Sequence, residues 1–440
     1  MDLSNLRASA GNGPASSPCP PLRPGIDAAR VPAQDGEELV CLFDRQDPSG
    51  GQVVITRGGV LLASLLDGVR TPAAIRSVFA LRTGSTLRPG EVEAFVRQLD
   101  SANLLDSPSY RDRLRQISET FRARPVRAAV HAGGAYPGEP AALRAFLESR
   151  YTAEGGPGRT PGPASRPSRR GLIAPHIDLH RGGHSYAWGY GALAESEPAE
   201  LYILFGTSHM PMSQPFAATA RPYDTPFGPV VNDADFLDRL AKRAPFDIFE
   251  AELGHQREHA LEFQAVYLRY LGHSGGPSTA PAVPILCVPP VWLPDGGTPR
   301  DDAATEELLA ALMEVLAEDG RRVCFVAGAD FAHVGPQFGD PSPVDDRFAD
   351  QVRAGDLVML DLVAQGDADA FYRQVVEEPS GPGMAGDSRA VGGPRRICGL
   401  APMYALLRLV DGASGEILHY DQWIDRGGAG SVTFGCVIFD

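Results

Sequence analysis

The sequence predicts an α/β protein in which helices flank a central, mostly parallel sheet, with a smaller unit in front of it. From Pro125 to the C-terminus, short apolar runs typical of buried strands alternate with longer segments of helical periodicity. The first 124 residues lack this alternation, and a chain of 440 residues is long enough for two or three domains. We therefore assign residues 125–440 to one large α/β domain.

Composition and charge narrow the class of protein. Apolar residues make up 43% and charged residues 22% of the chain, as in globular proteins. The formal net charge of −15 argues against general binding to nucleic-acid phosphates or to an anionic membrane surface. The chain shows neither a long apolar run nor a signal-peptide pattern at its start. We expect a cytoplasmic protein that binds neither nucleic acid nor membranes.

The N-terminal part divides into three segments. Residues 1–36 are rich in Pro, Ala, Ser and Gly, which predicts a disordered tail. Residues 37–107 predict a short strand region and three helices, one of them starting with Thr71 as N-cap and Pro72 in the first turn. This order resembles winged-helix-like modules. Because the chain is acidic and the third helix, EVEAFVRQLDSANLL, carries acids alongside few bases, we expect a peptide or protein partner and not DNA. Residues 108–124 predict a helical, solvated linker.

The large domain is predicted to contain seven strands and several amphipathic helices. The strand segments are RAAVHAG, GLIAPH, ELYILFG, AVPILCVPP, RVCFVAGADF, EILHYDQW and SVTFGCVIFD. The helical segments include DADFLDRLAKRA, ATEELLAALMEVLAEDG and DDRFADQVRAGDLVMLDLVAQG. Three inserts rich in Gly and Pro predict surface loops, and the third, EPSGPGMAGDSRAVGGPRR, is expected to cover the site as a lid.

Three of these strands end on polar residues that commonly bind metals. GLIAPH delivers His176, LYILFGTSH delivers His209, and VCFVAGADFAH delivers Asp330 and His333. In open α/β sheets, ligands bind beyond the carboxyl ends of the strands, and imidazole is a frequent ligand for zinc, copper and iron. A single histidine is more often structural, but three strands that end alike favour a binding site. For Asp330, a structural role as a cap on the following segment is the alternative interpretation.

The six cysteines are scattered without a CxxC pair, so we expect free thiols instead of a disulfide framework. Cys287, Cys324 and Cys436 fit apolar strand patterns and are predicted to be core residues. Cys398 stands at the start of a helical pattern, and its spacing alone also favours the core.

Six motifs occur in one order over about 300 residues: IAPHIDLHRGG, LFGTSHMPMS, TPFGPVVND, EHALEFQAVYL, AGADFAHVG and ICGLAPMYALL. Together they resemble the Memo family, called in bacteria AmmeMemoRadiSam system protein B. That family is similar in fold to the class III extradiol dioxygenases of the LigB type. The resemblance implies the same fold here.

The resemblance also implies a site. The family's metal ligands correspond to His176, His209 and Cys398, which are all present. Resemblance to the extradiol enzymes implies an acid/base role for His333. Asp330, His259 and Glu262 are interpreted as groups that orient the imidazoles. The chain departs from the family after its A-P-H motif, where His180 and His184 stand. We slightly favour a structural role for these two.

Two imidazoles and one thiolate on one mononuclear metal ion leave coordination positions open. We expect iron(II), with copper or zinc competing because sulfur is a softer ligand than a carboxylate. The resulting hypothesis is an iron-dependent, O₂-using oxidoreductase with an unknown substrate. The alternative is a metal-binding scaffold without turnover, acting on a peptide or with the radical-SAM and AMMECR-type proteins that the family name implies. Zinc-assisted hydrolysis ranks third.

Overall fold

The protein is described by a computed structural model over residues 17–31, 38–44, 51–273, 280–290, 293–385 and 392–440. The chain forms two compact units, Met1–Thr120 and Phe121–Asp440. No helix in the described ranges is both long and apolar enough to cross a membrane.

The N-terminal unit has a small antiparallel sheet followed by helices. The strands are β1 (Ile26–Val31), β2 (Leu39–Asp44) and β3 (Val53–Thr56), paired in that order. The helices are α1 (Arg57–Ser64), α2 (Pro72–Thr83), α3 (Glu91–Ser101) and α4 (Pro108–Arg122). The predicted start of α2 is confirmed, because the Thr71 side chain accepts a hydrogen bond from the backbone N–H of Ala74.

Two expectations for this region need correction. Disorder was predicted for residues 1–36, but Ile26–Val31 pairs with β2 as an edge strand; residues 1–16 and 32–36 lie outside the described ranges. The winged-helix-like arrangement is not clearly reproduced either, because all three strands precede the helices and form one antiparallel sheet. The segment predicted as a linker is helix α4, whose side chains are mostly exposed.

The second unit is built on one sheet. Its strands are β4 (Gly171–Ala174), β5 (Leu201–Thr207), β6 (Phe216–Ala218), β7 (Ala282–Cys287), β8 (Val323–Gly328), β9 (His333–Val334), β10 (Gly415–Ile424) and β11 (Ser431–Phe439). Its helices are α5 (Pro140–Thr152), α6 (Leu179–Ala194), α7 (Ala234–Arg243), α8 (Glu262–His273), α9 (Ala303–Asp319), α10 (Asp346–Ala364), α11 (Ala368–Glu377) and α12 (Leu400–Leu409). Apolar side chains on both faces of the sheet form two large buried clusters.

The sheet is mixed, which corrects the expectation of a mostly parallel sheet. Among the described residues its order is β10-β11-β4-β8-β5-β7-β6, with β9 paired to β11. Strands β4, β8, β5 and β7 run parallel, whereas β6, β9, β10 and β11 join by antiparallel pairing. The C-terminal hairpin β10–β11 extends the parallel core on the side of β4, and β6 extends it on the side of β7.

The parallel core positions the site. Ala174 on β4 is in register with Gly328 on β8, and Gly328 is in register with Gly206 on β5. Because these neighbouring strands end together, the residues that follow them emerge at one edge of the sheet. His176 and Asp330 each lie two residues beyond this level.

One predicted strand is absent. Residues 127–133 form turns and isolated bridges instead of a strand. The apolar residues of this segment suggested a strand. In the structure the segment is instead anchored by Arg127, whose side chain is completely buried and hydrogen-bonds to surrounding backbone and carboxylate groups. The hypothesis of a lid concerns an insert whose residues 386–391 lie outside the described ranges. It stays a prediction.

Candidate metal centre

Three side chains converge at the carboxyl edge of the parallel strands. One donor atom each from His176, His209 and Cys398 lies within 4.8 Å of the others. The thiol sulfur of Cys398 is 3.2 Å from Nε2 of His176, although the two residues are 222 positions apart in the chain. The structure therefore brings together all three residues that the family motifs single out as ligands.

The His176 ring is oriented by a backbone carbonyl, and the backbone of His176 is held by a carboxylate. Its Nδ1 lies 3.0 Å from the carbonyl oxygen of Gly328, to which Nδ1–H donates a hydrogen bond, so Nε2 keeps its lone pair for a metal. The carboxylate of Asp330 accepts hydrogen bonds from the backbone N–H groups of His176 and Ile177, at 2.8 and 3.0 Å. The other oxygen of Asp330 is 3.6 Å from Nε2 of His176 and so borders the metal position.

The His209 ring is held by a carboxylate. Its Nδ1 lies 3.0 Å from both oxygens of Glu258, which is buried and also accepts backbone N–H bonds from His209, His259 and Ala260. Burial acts to raise the pKa of Glu258, but the adjacent His209 ring, which also hydrogen-bonds to it, and the backbone N–H of Ala260 hold this pKa well below its usual range. Glu258 is therefore ionised and fixes the His209 tautomer that leaves Nε2 available.

Cys398 approaches the strands because a glycine follows it. A Cβ at Gly399 would come within 2.6 Å of the Ala329 Cβ and of the Asp330 carbonyl oxygen, so only glycine allows this contact. The Thr207 hydroxyl donates a hydrogen bond of 3.0 Å to the Cys398 carbonyl, which ties Cys398 to the end of β5. Burial raises the pKa of the Cys398 thiol, so a metal ion that binds this sulfur displaces its proton.

His259 lies against the ligand set without being one of its three members. Its ring stacks on the His209 ring with centroids 4.7 Å apart and meets the His176 ring edge-on at 5.3 Å. Its Nδ1 is 3.2 Å from Glu258. Burial lowers the pKa of His259 well below its usual range, so the ring is neutral at pH 7. His259 contributes a neutral imidazole beside the metal position, instead of orienting another ring by a hydrogen bond.

His333 lies on β9, half-buried, with its Nδ1 3.1 Å from the Phe331 carbonyl and its ring edge-on to Phe338 at 5.2 Å. Burial lowers the pKa of His333 to about 4. The ring is therefore neutral at pH 7, and the bond from Nδ1–H leaves Nε2 as an acceptor.

For Asp330 the alternative of a cap on the following segment does not hold, because its side chain bonds back to the segment after β4.

The interpretation of Glu262 as a group that orients a ligand imidazole was wrong. Glu262 is fully buried and forms an ion pair with Arg127. Its other oxygen accepts hydrogen bonds from the Tyr136 hydroxyl, at 2.5 Å, and from the backbone of His131, at 3.0 Å. The carboxylate that orients His209 is Glu258, which sequence reasoning missed. The sequence could have indicated Glu258, because this residue directly precedes the predicted site residue His259 in the motif EHALE.

The favoured structural role of His180 and His184 agrees with their contacts. Nε2 of His184 lies 2.7 Å from the Asp421 carboxylate, and its ring meets His419 at 5.2 Å. The exposed His180 ring packs against Phe146. Neither residue belongs to a described group of side chains that could hold a metal ion.

The donor set fits a single metal ion. With typical metal–nitrogen and metal–sulfur bonds, two such donors on one ion are separated by about 3.1–3.6 Å for bond angles between 90° and 109°. The observed 3.2 Å between Cys398 and His176 lies in this interval. Both Nδ1 atoms are occupied by acceptors, and both Nε2 atoms are left for a metal. Three donors of this kind could hold one metal ion, and they would leave coordination positions open.

Fold and side chains thus define a class: an α/β protein with a candidate His₂Cys metal centre at the carboxyl edge of its parallel strands. Residues 127–434 match the family model described as Memo-like protein. The chain belongs to the Memo family.

Curated relatives agree with this assignment. A MEMO1 family protein of Aquifex aeolicus is 28% identical over 305 residues, which cover 69% of this chain and 75% of that protein. A MEMO1 family protein of Thermus thermophilus is 28% identical over 350 residues, covering 79% of this chain and 93% of that protein. A third, from Methanopyrus kandleri, is 27% identical over 304 residues, covering 67% and 91%.

Proposed function

We propose that this protein is a mononuclear non-heme iron protein that uses O₂ to oxidise a small organic substrate in the cytoplasm. The observation that carries the proposal is the convergence of His176, His209 and Cys398, with both imidazoles already oriented. Iron(II) would supply the redox and O₂ chemistry that amino-acid side chains lack. Copper and zinc also accept imidazole and thiolate ligands, so metal content has to be measured.

The protein's own residues have separate tasks in this proposal. His176, His209 and Cys398 hold the ion, Asp330 fixes the backbone of His176, and Glu258 keeps the His209 ring in place. His333 is a catalytic base, since its neutral ring can accept a proton at Nε2 from a substrate hydroxyl and return it later. His259, whose ring stacks on His209, presents a second neutral ring beside the ligand set and positions the substrate. We further propose that the α/β unit shares the fold of the class III extradiol dioxygenases, as the resemblance implies.

The test is oxygen uptake by protein loaded with iron(II) under anaerobic conditions. A panel of catechols should reveal a substrate whose oxidation consumes O₂ in proportion to bound iron. Cys398→Ser should abolish both metal binding and uptake, whereas His333→Gln should keep the iron and lose most of the uptake. A substrate that is consumed equally by the metal-free protein would contradict the proposal.

The alternative is a metal-binding scaffold that has kept the site without turnover. One observation favours it: the third donor is the sulfur of Cys398, where the typical iron oxygenase has a carboxylate. In that case the N-terminal unit, a small antiparallel sheet followed by helices, would recruit a peptide or a radical-SAM or AMMECR-type protein. Tight metal binding without O₂ uptake, together with metal-dependent binding of such a partner, would decide for the scaffold.

A further inference from the structure

Arg396 has an unusual backbone conformation directly in front of Cys398. Its φ of 54° lies in the left-handed region, and within the described ranges Asn103 is the only other non-glycine residue with a positive φ. This conformation is uncommon for arginine, whereas asparagine adopts it much more often. Such strain persists only where the surrounding structure imposes it, and it is concentrated at functional sites. The contacts of Arg396 show what imposes it here.

The side chain of Arg396 is anchored to a buried carboxylate. Its two terminal nitrogens donate hydrogen bonds to the two oxygens of Asp340, at 3.1 and 2.8 Å. Asp340 also accepts the backbone N–H groups of Gly335 and Ala385, each at 2.8 Å. Burial acts to raise the pKa of Asp340, but the hydrogen bonds from Arg396 and from these backbone groups lower it. The carboxylate is therefore ionised at pH 7, and the forked contact fixes the direction of the guanidinium group.

The anchored guanidinium group also holds the backbone of His333. Its Nη1 donates a hydrogen bond of 3.2 Å to the His333 carbonyl oxygen. On the other side, the backbone N–H of His333 donates to the carbonyl oxygen of Arg395 at 2.7 Å. Both polar groups of the His333 backbone are thus bound by two consecutive arginines, one through its backbone and the other through its side chain.

The same segment leads directly to the thiol ligand. Residues 392–396 form a turn that two backbone hydrogen bonds of 3.0 and 2.8 Å close. Cys398 follows this turn, with its sulfur 3.2 Å from Nε2 of His176. Because Arg396 lies two residues before Cys398 and its side chain binds the His333 carbonyl, a single residue connects the thiol ligand to the neutral imidazole beside the metal position.

We propose that Arg396 is a positioning residue of the metal centre: anchored on Asp340, it sets the distance between the His333 ring and the ion that Cys398 would hold. The inference rests on the metal centre proposed above and adds to it a residue that touches neither metal nor substrate. The strained backbone of Arg396 follows from directing its side chain to β9 while its main chain continues to Cys398. Lysine cannot replace it, since an ammonium group lacks the planar fork that binds both Asp340 oxygens.

Cobalt(II) bound to the full-length chain is the probe, because it is paramagnetic and relaxes the NMR signals of nearby rings more strongly at shorter distance. The His333 signals are those that disappear in His333→Gln. Arg396→Gly removes the side chain but accommodates the positive φ, so it should keep the cobalt affinity within about twofold. The His333 ring should move by about 1 Å, enough to disturb a catalytic geometry and to lower its cobalt-induced relaxation about twofold.

Three further variants separate the side chain from the backbone. Arg396→Ala keeps a Cβ in the left-handed region without the anchor, so the turn before Cys398 should relax. Its cobalt affinity should be about fivefold lower than that of Arg396→Gly, which corresponds to the smallest strain typical of such a residue. Asp340→Asn and Arg396→Lys weaken the anchor from its two sides, and each should lower the His333 relaxation in the same direction as Arg396→Gly.

The control variant is Arg321→Gln. Arg321 forms ion pairs with Asp319 and Asp233 just before β8 begins, whereas the metal centre lies beyond the other end of this strand. Its loss should change neither the cobalt affinity nor the relaxation of His333. The inference is overturned if Arg396→Gly leaves the His333 relaxation unchanged, or if Arg321→Gln lowers it equally.

The result can be told apart from a failure of the proposed function. If the wild-type chain binds no cobalt, the metal centre is wrong, and the metal-free spectra decide on Arg396. The His333 ring signals should then shift or broaden in Arg396→Gly and Asp340→Asn, and unchanged signals would overturn the positioning role. If cobalt binds and the relaxation falls as expected, but the iron-loaded chain consumes no O₂, the positioning role stands without the oxidation.

Discussion

Two buried polar regions of the second unit lie side by side and differ in one respect. Around Arg127, the Glu262 carboxylate, the Tyr136 hydroxyl and nearby backbone carbonyls satisfy one another within the protein. Around His209, the Glu258 carboxylate holds Nδ1, while Nε2 and the Cys398 sulfur are left facing a common point. We call these the Arg127 cluster and the imidazole cluster.

The two glutamates stand only four residues apart in the same motif, and both are buried. The comparison teaches that burial and charge alone do not mark a functional site. What separates the imidazole cluster is a set of donor atoms that the protein orients and does not use. The following changes should therefore affect metal binding in one cluster and folding in the other.

The largest effect is expected from removing a ligand. Cys398→Ser and His209→Ala should each reduce bound metal from near one ion per chain to near zero, because each removes one of three protein donors. Folding of the metal-free protein should change little, since His209 is partly exposed. Metal analysis after anaerobic loading, with circular dichroism as the folding control, checks this. If both variants keep a full equivalent of metal, the metal site proposed here is wrong.

A large effect on stability is expected in the Arg127 cluster. Arg127→Met should lower the free energy of unfolding by about 3–5 kcal/mol, because it leaves the buried Glu262 carboxylate without its cation. Urea denaturation of the metal-free protein measures this. The double variant Arg127→Met/Glu262→Gln should recover part of the loss. If Arg127→Met costs less than about 1 kcal/mol, the cluster is not the structural element described here.

The matched pair Glu258→Gln and Glu262→Gln sharpens the comparison. Glu258→Gln should weaken metal binding about 10–100-fold, as is typical when a group that orients a ligand imidazole is changed. Glu262→Gln makes the same chemical change four residues away and should leave metal affinity nearly unchanged in the folded protein. Competition with a chelator gives both affinities. Equal losses in the two variants would show that the effect is general loosening of the region.

The smallest effect on metal binding is expected at His333. His333→Gln should keep normal metal content, because the His333 side chain is not one of the converging donors. It should instead weaken oxidation or the binding of a substrate analogue. If this variant loses metal as completely as His176→Ala, His333 is a ligand and the assignment of Cys398 has to be revised.

Much of the fold could be predicted because periodicity reports burial. The six long or regular strands β4, β5, β7, β8, β10 and β11 all coincide with apolar runs in the sequence. The short strands β6 and β9 could not be predicted, since two or three residues carry no period. The antiparallel return of β11 against β4 was also out of reach, because pairing direction depends on how distant segments meet.

The candidate site could also be predicted in part from the sequence. Strand ends showed His176, His209, Asp330 and His333 from the pattern alone. Cys398 could be assigned only through the family resemblance, because nothing local distinguishes a ligand thiol from a core thiol. Choosing Glu262 over Glu258 failed because the two carboxylates share one motif. Which of them faces the imidazoles depends on where the buried Arg127 lies, 135 residues away from Glu262.

The central claim is that Cys398 and the two imidazoles hold one metal ion. X-ray absorption spectroscopy on the iron-loaded protein tests it most directly. We predict one sulfur neighbour at about 2.3 Å together with nitrogen or oxygen neighbours at about 2.0–2.2 Å. The sulfur signal should disappear in any metal that Cys398→Ser retains. An iron site in the wild-type chain with no sulfur neighbour would contradict the account.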